Sequence, residues 1–489
     1  MTSAESAPPQ RPQIHAAPRR VALTVAGALF MEGFDSAVIL TSLPQMAIDL
    51  HESALRLSMA VTAYLIALAI FIPISGWIAD RYGARRVYCI SMLVFALGSL
   101  LCGFAHSTAQ LVFGRFVQGM GGSMMGPVGR LILTRGVEKR ALVSVMNYML
   151  LPAMIGPTLG PIVGGFITTY ASWRWNFFIN VPIGLIGIAL AARFIPDTGP
   201  TPQGRFDWLG FILIGVGAAA LQAVIEAFGH QLLSVPLEVG LAVLAALCGC
   251  LYALHTRRRT RPLIDPALFR IRSFSVAILG GSLARAGLFS TQILLPTLLQ
   301  LGFGYSAFHS GLLTFLVSAG TFVTRPFISF ALARIGFRRA LFCAGLAAGA
   351  MLAGFALFRV SSPVWLFALY ILVFGTLRSS MFSSIGALTL ADIDHADMGR
   401  SNGVSLFAQR LSMSFGISLG AAILALSSAG HPLSQHDFSL AFVLAGAVTL
   451  VAALLMLQLR DSDGWQISGF GAPADPEVRA VSREQTPLG

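Results

Sequence analysis

Apolar runs long enough to cross a membrane recur about fourteen times in this chain, and they limit its fold more than any other feature. A helix needs about 20 apolar residues to cross a bilayer core, where every backbone polar group must be satisfied within the protein. The sequence therefore predicts an all-α polytopic membrane protein. The predicted spans cover residues 21–43, 56–79, 87–106, 109–134, 141–170, 176–196, 207–228, 234–255, 275–300, 310–332, 340–358, 364–390, 402–428 and 438–459.

Composition supports this interpretation. Hydrophobic residues make up 55% of the chain and charged residues only 11%, against about 45–50% and 25% in soluble domains. The formal net charge of +12 would suit nucleic acid if the arginines formed one patch. They are instead spread over alternate loops, so a nucleic-acid partner is not expected. The basic loops lie at residues 19–20, 81–86, 135–140, 205, 257–272, 334–339, 400 and 460.

Alternating loop charge also predicts the orientation. Loops rich in lysine and arginine stay on the cytoplasmic side, so both termini are expected in the cytoplasm, with an even number of spans in a bacterial-type inner membrane. Spacing between the spans predicts two six-span blocks flanking a helical pair, which is typical of duplicated transporters. The expected units are a cytoplasmic tail (1–20), a first block (21–196), a linker with two inserted spans and a basic loop (197–274), a second block (275–459) and a disordered cytoplasmic tail (460–489).

Predicted span 5 combines glycines and prolines in an apolar setting. Glycines four residues apart lie along one stripe of a helix and let a neighbouring helix approach closely. Each proline removes a backbone donor and kinks the helix. The pattern predicts a hinge motif at the interface between the blocks. Its residues are Gly156, Pro157, Gly160, Pro161, Gly164 and Gly165.

The segment Gly76-Trp-Ile-Ala-Asp-Arg-Tyr-Gly-Ala-Arg-Arg86 forms a predicted tight turn after span 2. Glycine at 83 accepts a positive φ without steric cost, and Asp80 can cap a helix or pair with an arginine. A similar but acid-free segment, Ala331–Arg339, follows span 10. The spacing predicts a conformational latch, although a plain basic anchoring loop remains an alternative. The latch residues are Gly76, Asp80, Arg81, Gly83 and Arg85.

This turn resembles the signature loop of the major facilitator superfamily. Arg115-Phe-Val-Gln-Gly resembles its span-4 motif, and Gly160-Pro-x-x-Gly-Gly165 resembles the span-5 motif of proton-driven exporters. Segments 172–184 and 261–270 are similar to the fourteen-span drug:proton antiporter branch, the EmrB/QacA type. The resemblance covers nearly all of 21–459. It implies the major facilitator fold, two six-helix bundles plus two inserted helices, with Asp80 meeting the start of span 13 near Ser401 and Asn402.

Acidic residues inside span 1 suggest how transport could be driven. A charge at a helix centre costs about 2.5–3.5 kcal/mol on insertion scales. Glu32 and Asp35 are i, i+3 neighbours on one helix face, and two close carboxylates resist ionising together. We therefore expect them to carry a proton, with Arg115 tuning Asp35. The alternative is that Asp35 and Arg115 form a purely structural pair.

Embedded arginines outnumber the embedded acids. Arginine keeps its charge, and the resemblance places spans 1, 4, 9 and 12 around a central cavity. This surplus favours substrates with carboxylate, phosphate or phenolate groups, although hydrogen bonds to helix carbonyls are an equal alternative. The residues expected to line the cavity are Arg285, Arg378, Arg410 and Gln118.

These features predict a proton-coupled exporter of small amphiphilic compounds, a drug:H⁺ antiporter that works by alternating access. No catalytic constellation, metal-ligand spacing or nucleotide loop is recognisable, so neither an enzyme nor a cofactor or metal site is expected. The expected partners are the lipid bilayer, the substrate, protons and, by resemblance, a periplasmic adaptor. An uptake or facilitative carrier for an organic anion and a non-transporting membrane sensor or assembly partner remain alternatives.

Overall fold

The computed structural model describes residues 16–136, 139–197, 199, 207–230, 234–257, 266–393, 398–428 and 431–470. Every regular element in these ranges is a helix, as predicted. Short 3₁₀ or π turns cover Pro266–Arg270, Leu298–Gly302, Phe355–Leu357 and Met456–Gln458. The α-helices are α1 Ala16–Asp49, α2 Ala54–Tyr82, α3 Ala84–Gly103, α4 Thr108–Gly136, α5 Lys139–Tyr170, α6 Trp175–Phe178, α7 Asn180–Phe194, α8 Trp208–His230, α9 Val235–Thr256, α10 Arg272–Phe289, α11 Thr291–Thr297, α12 Ala307–Gly354, α13 Val364–Ala391, α14 Met398–Ser428, α15 Gln435–Leu455 and α16 Trp465–Ser468.

Each of the fourteen predicted spans coincides with helical structure. Twelve helical segments of the described chain are long and apolar enough to cross a membrane. The long helices α4 and α5, of 29 and 32 residues, lie at predicted spans 4 and 5 but are not among those twelve. In α4, three arginines and seven glycines lower the mean hydropathy. The predicted polytopic all-α architecture is confirmed.

Two bundles, α1–α7 and α10–α15, pack against each other through α5 with α12 and α2 with α14. The inserted pair lies outside them, since α8 contacts α2 and α14 whereas α9 packs against α8. Most of the surface of α9 carries exposed apolar side chains such as Leu237, Val243 and Leu247. Such a helix is stable in lipid, where exposed apolar surface carries no hydration cost.

Spans 10 and 11 form one continuous element, α12, with a break at Gly336. The break residue has φ 72° and ψ 171°. Gly83, between α2 and α3 in the other bundle, has φ 91°. Both positions lie in a region of backbone space that glycine adopts without steric cost. The two bundles thus turn at matching glycines, as expected for a duplicated fold.

An ion pair recurs beside each of these turns. Arg85 lies 2.7 Å from Asp197, which follows α7, and Arg338 lies 3.7 Å from Asp461, which follows α15. The second turn therefore acquires its carboxylate from the segment after the last span, although its own loop lacks an acid. All four side chains are about a third to a half exposed, so each pair is worth at most about 1 kcal/mol.

The two terminal tails differ partly from the prediction. The first helix begins at Ala16, five residues before predicted span 1. After α15, residues 461–468 form a turn and the short helix α16, and Phe470 packs beside Gly336. That part of the predicted disordered tail is therefore ordered, because its apolar side chains cover the second turn. Residues 1–15, the linker at 200–206, the basic loop at 258–265 and residues 471–489 lie outside the described residues.

The glycines at 156, 160 and 164 of α5 face another helix of the same bundle, which differs from the prediction that the motif forms a hinge at the interface between the blocks. Cβ atoms built at Gly156, Gly160 and Gly164 would collide with α1, the last two at 2.5 Å from Ala37 and 2.8 Å from Val38. Only Gly165 faces the other bundle, against the carbonyl of Ala307. The four-residue spacing identified a close helix contact, but spacing alone does not name the partner helix.

Leucine at both Gly160 and Gly164 is therefore expected to destabilise the first bundle. Side chains there would force α1 and α5 apart, and overpacking of this kind costs about 1–3 kcal/mol. Thermal unfolding of the purified protein in detergent measures the effect. Gly27→Leu is the matched control, because a Cβ at Gly27 meets nothing within 4 Å. Equal unfolding temperatures for the double variant and the control would contradict the packing role.

Several contacts join the two bundles at the end of the molecule that carries the turns at 50–53, 104–107, 171–174 and 303–306, here called the distal end. Gln300 Nε2 donates to the carbonyl of Thr41 at 2.9 Å, and the backbone N–H of Phe308 donates to Thr169 Oγ1 at 3.0 Å. Gly311 lies directly against the carbonyl of Pro161. The described structure is therefore closed at its distal end. The opposite end, which carries the Arg85 and Arg338 turns, is called the basic end.

Candidate functional site

A cavity of about 430 Å³ lies between the two bundles. Helices α1, α2, α4 and α5 line it from one side, and α10 to α14 line it from the other. Its wall is mostly apolar, with Leu295, Val317 and Met413 among the contributors. Its charged lining residues are Glu32, Arg115, Arg130, Arg378 and Arg410.

Asp35 lies behind this wall in a closed hydrogen-bond network and does not line the cavity. Its carboxylate accepts hydrogen bonds from Arg115 Nη1, from Gln118 Nε2 at 2.8 Å and from Asn180 Nδ2 at 2.7 Å. Gln118 Nε2 also donates to Ser99 Oγ at 2.6 Å. Asp35 is 2% exposed. Four helices of the first bundle are thus joined around one carboxylate.

Arg115 separates Asp35 from the cavity. Its side chain is fully buried, and its guanidinium lies over the Tyr64 ring at 4.2 Å from the ring centroid. Among the described residues, its Nε and Nη2 atoms have no hydrogen-bond partner. Because a charge at such a site is costly without a counter-ion, Asp35 is what allows Arg115 to remain charged at the cavity wall.

Glu32 lies one helical turn from Asp35, but its surroundings differ from those of Asp35. It lines the cavity, and its Oε1 lies 2.9 Å from Arg410 Nη2 on α14 of the other bundle. The side chains are 10% and 25% exposed. The two carboxylates predicted to form one proton site therefore have separate partners. Glu32 forms an ion pair that joins the two bundles inside the cavity.

The four residues predicted to line the cavity divide into two groups. Arg378 and Arg410 lie at its wall, whereas Gln118 and Arg285 do not, which differs from the prediction. Gln118 is turned towards Asp35, and Arg285 is buried beside Gly281 on its own helix. The sequence placed these four residues on helices correctly. The direction of each side chain, however, depends on how its helix is rotated about its own axis, and the boundaries of a predicted span do not determine that rotation.

Arg378 is held by aromatic rings and has no carboxylate partner in the described part of the chain. Its guanidinium carbon lies 5.4 Å from the Phe289 ring centroid and 5.6 Å from that of Phe382. The two rings are stacked with an interplanar angle of 7° and centroids 5.2 Å apart. The ring faces attract a cation, but within the described residues no oxygen or nitrogen atom accepts a hydrogen bond from the guanidinium.

The predicted latch residues are only partly engaged with their surroundings. Asp80 is buried, and Arg85 donates a hydrogen bond to Asp197. By contrast, Arg81 is exposed. Gly76 also lies in open space, because a Cβ built there would meet nothing within 4 Å. Helix α2 packs along α14, where Ser401 is buried. The side chain of Asn402 lies outside the described residues. The expected contact between Asp80 and the start of α14 stays a prediction.

Sequence reasoning missed several residues of the site. Asn180 and Ser99 complete the Asp35 network, Tyr64 supports Arg115, and Phe289 with Phe382 supports Arg378. A polar amide inside an apolar span is a usable signal, because such a group needs a partner, so Asn180 could have been found. A phenylalanine among 35 carries no such signal.

Two helical bundles around a central charged cavity define the architecture of a secondary transporter. The family model for the Major Facilitator Superfamily matches residues 25–417 and again residues 277–485. The chain belongs to the major facilitator superfamily. It is a multi-pass inner-membrane transporter of small substrates, and the fourteen-span drug:proton antiporter branch indicated by its motifs fits its relatives.

Those relatives include proteins named "Putative multidrug resistance protein MdtD". The one from Pectobacterium atrosepticum is 35% identical over 414 residues, which cover 83% of this chain and 87% of that protein. The one from Citrobacter koseri is 35% identical over 410 residues, covering 83% and 86%. Solved structures of the same fold include the nucleoside transporter NupG, with a TM-score of 0.64 at 14% identity over 89% of this chain and 98% of that one. A POT family transporter in complex with 5-aminolevulinic acid gives 0.68 at 16% identity over 92% and 97%.

Proposed function

We propose that this transporter is a proton-coupled exporter that exchanges small amphiphilic compounds for protons. The observation that carries the proposal is the Glu32–Arg410 pair, because it places a protonatable group in the cavity and across the bundle interface. Ionised Glu32 holds Arg410 and so favours the approach of the two bundles. A proton on Glu32 removes its charge and releases Arg410, which favours their separation. Proton binding and bundle movement are thereby coupled.

Asp35 has a supporting part in this scheme. It holds Arg115 at the wall, and Arg115 in turn faces the region where Glu32 and a substrate would exchange. A proton that reached Asp35 would weaken its hold on Arg115 and alter the charge of the wall. The Asp35–Arg115 pair therefore tunes the site, and Glu32 is the carboxyl that the cavity reaches directly.

The proposed orientation assigns the two ends of the molecule to the two faces of the membrane. With the basic end and both termini in the cytoplasm, the closed distal end faces the periplasm. The cavity would then exchange with the cytoplasm before it exchanges with the outside. The latch at Asp80 would close the basic end and the contact at Gly165 would close the distal end, so that only one end is open at a time. An adaptor at the distal end stays a prediction from resemblance.

Everted membrane vesicles test the proposal. Substrates are first found by growth inhibition in a pump-deficient host. Respiration then sets up an acid-inside pH gradient in the vesicles, and a fluorescent pH probe follows it. An antiporter is expected to dissipate the gradient when substrate is added. Substrate uptake that leaves the gradient unchanged would identify a facilitative carrier, and the absence of both would identify a non-transporting protein. Vesicles without this chain are the control.

A further inference from the structure

We infer that Arg378, with Phe289 and Phe382, forms an anion-binding subsite of the cavity, and that the substrates it takes are organic anions with an aromatic body. The inference deepens the proposed function and rests on it for the direction of transport. It begins from the charge of the cavity. Four arginines line the wall, and the two carboxylates near them, Glu32 and Asp35, are each paired with one arginine. Two positive charges are therefore left without a paired acid.

The two remaining arginines differ in their surroundings. Arg130 is exposed on α4 and lines the same cavity as Glu32, whose negative charge acts on it. Arg378 is half-buried near the middle of α13, where its contacts within the described structure are with two phenyl rings. A guanidinium there is expensive to keep unless something accepts its hydrogen bonds. The ligand is the candidate acceptor, since none lies among the described residues.

Geometry around Arg378 favours one ligand chemistry. A carboxylate can accept two parallel hydrogen bonds from the planar guanidinium. Phe289 lines the cavity next to it, so a ligand ring can stack on or edge against the phenyl pair. The apolar wall at Leu295 and Val317 accommodates the rest of the body. A cationic amphiphile would meet the same rings but would be repelled by the excess positive charge.

Three probes that share one ring system and differ in charge test this inference. They are 2-naphthoate, 2-naphthalenemethanol and 2-naphthylmethylammonium, and equilibrium dialysis against the purified full-length chain in detergent at pH 7.5 measures their binding. A hydrogen-bonded charge is worth about tenfold to a hundredfold in affinity. We expect 2-naphthoate to bind more tightly than the ammonium probe by about that factor.

Substitutions then test whether Arg378 is responsible for the preference for the anionic probe. Arg378→Gln is expected to weaken 2-naphthoate binding by about tenfold to a hundredfold and to leave the alcohol nearly unchanged. Arg378→Lys should keep the order of the three probes, because the charge remains. Arg334→Gln is the matched control, since Arg334 also lies over a phenyl ring, Phe330 at 5.0 Å, but is exposed and outside the cavity lining.

The Arg378→Gln protein is expected to fold, because it loses a cation that has no ionic partner among the described residues, and an unfolding scan verifies this. Tighter binding of the ammonium probe, equal binding of all three probes, no saturable binding, or an unaltered 2-naphthoate affinity in Arg378→Gln would each overturn the inference. These measurements use no proton gradient. A transporter that binds 2-naphthoate through Arg378 but fails the vesicle assay would therefore refute the proposed antiport and leave the subsite intact.

Discussion

Glu32→Gln is expected to abolish gradient-driven export while leaving the protein folded. Glutamine cannot take up or release a proton in the physiological range, and it withdraws the negative charge that Arg410 contacts at 2.9 Å. An arginine left without its partner in a largely buried site costs about 3 kcal/mol or more. A shift of that size changes a two-state equilibrium by about 100-fold. Proton-driven transport in everted vesicles should therefore fall by about that factor.

Glu52→Gln is the matched control for Glu32→Gln. Glu52 also pairs with an arginine, Arg56 at 3.2 Å, but the pair is exposed at the distal end. Its loss should leave export within about twofold of the wild type, since exposed pairs contribute 0–1 kcal/mol. Full proton-driven export by Glu32→Gln would exclude Glu32 as the proton carrier. Asp35→Asn would then be the next variant to test for coupling.

Asp35→Asn is expected to produce a large loss of stability. Arg115 is fully buried, and its only ion-pair partner in the described structure is Asp35. Removing one member of a buried ion pair costs about 3–5 kcal/mol, because the other charge is left uncompensated. The unfolding temperature of the purified protein should drop clearly. The hydrogen bonds from Gln118 and Asn180 both go to Oδ1 and can be kept by the asparagine oxygen, so the loss reports on the contact of Oδ2 with Arg115.

A double-mutant cycle separates this effect from a general sensitivity of α1. Asp35→Asn combined with Arg115→Gln removes both charges, and it should be less damaging than the sum of the single changes. Asp49→Asn is the control on the same helix. Asp49 is about a third exposed and lies 3.7 Å from Arg174. It also accepts a hydrogen bond from Trp173 Nε1 at 2.8 Å, which the asparagine oxygen can keep, so the loss of the exposed charge should cost at most about 1 kcal/mol. Strict additivity in the cycle would contradict the paired role of Asp35 and Arg115.

The sequence was sufficient for the helices because hydropathy is a local property. Each predicted span coincides with helical structure, and the ends differ mostly by a few residues, as between predicted 364–390 and Val364–Ala391. It was also sufficient to single out Glu32, Asp35 and Arg115, because a charge inside an apolar run has few explanations. It was not sufficient to say which of these groups reach the cavity. That depends on how each helix is rotated.

The glycines of α5 illustrate the same boundary between local and tertiary information. Their spacing determined that some helix approaches closely, because small residues on one face allow it. Only the packed structure showed that α1 is that helix for Gly156, Gly160 and Gly164, and that α12 is the partner of Gly165. Contacts between residues far apart in the chain depend on the tilt and rotation of whole helices, which no local pattern encodes.

The sequence by itself determined that the chain is a polytopic helical membrane protein with charges retained inside its spans, because apolar length and embedded charge are readable residue by residue. Only the tertiary structure decided that Glu32 meets Arg410 across the bundles while Asp35 is enclosed with Arg115, Gln118 and Asn180. Neighbouring acids on one helix face acquire different chemistry when different helices pack against them, and that packing is settled by the whole fold.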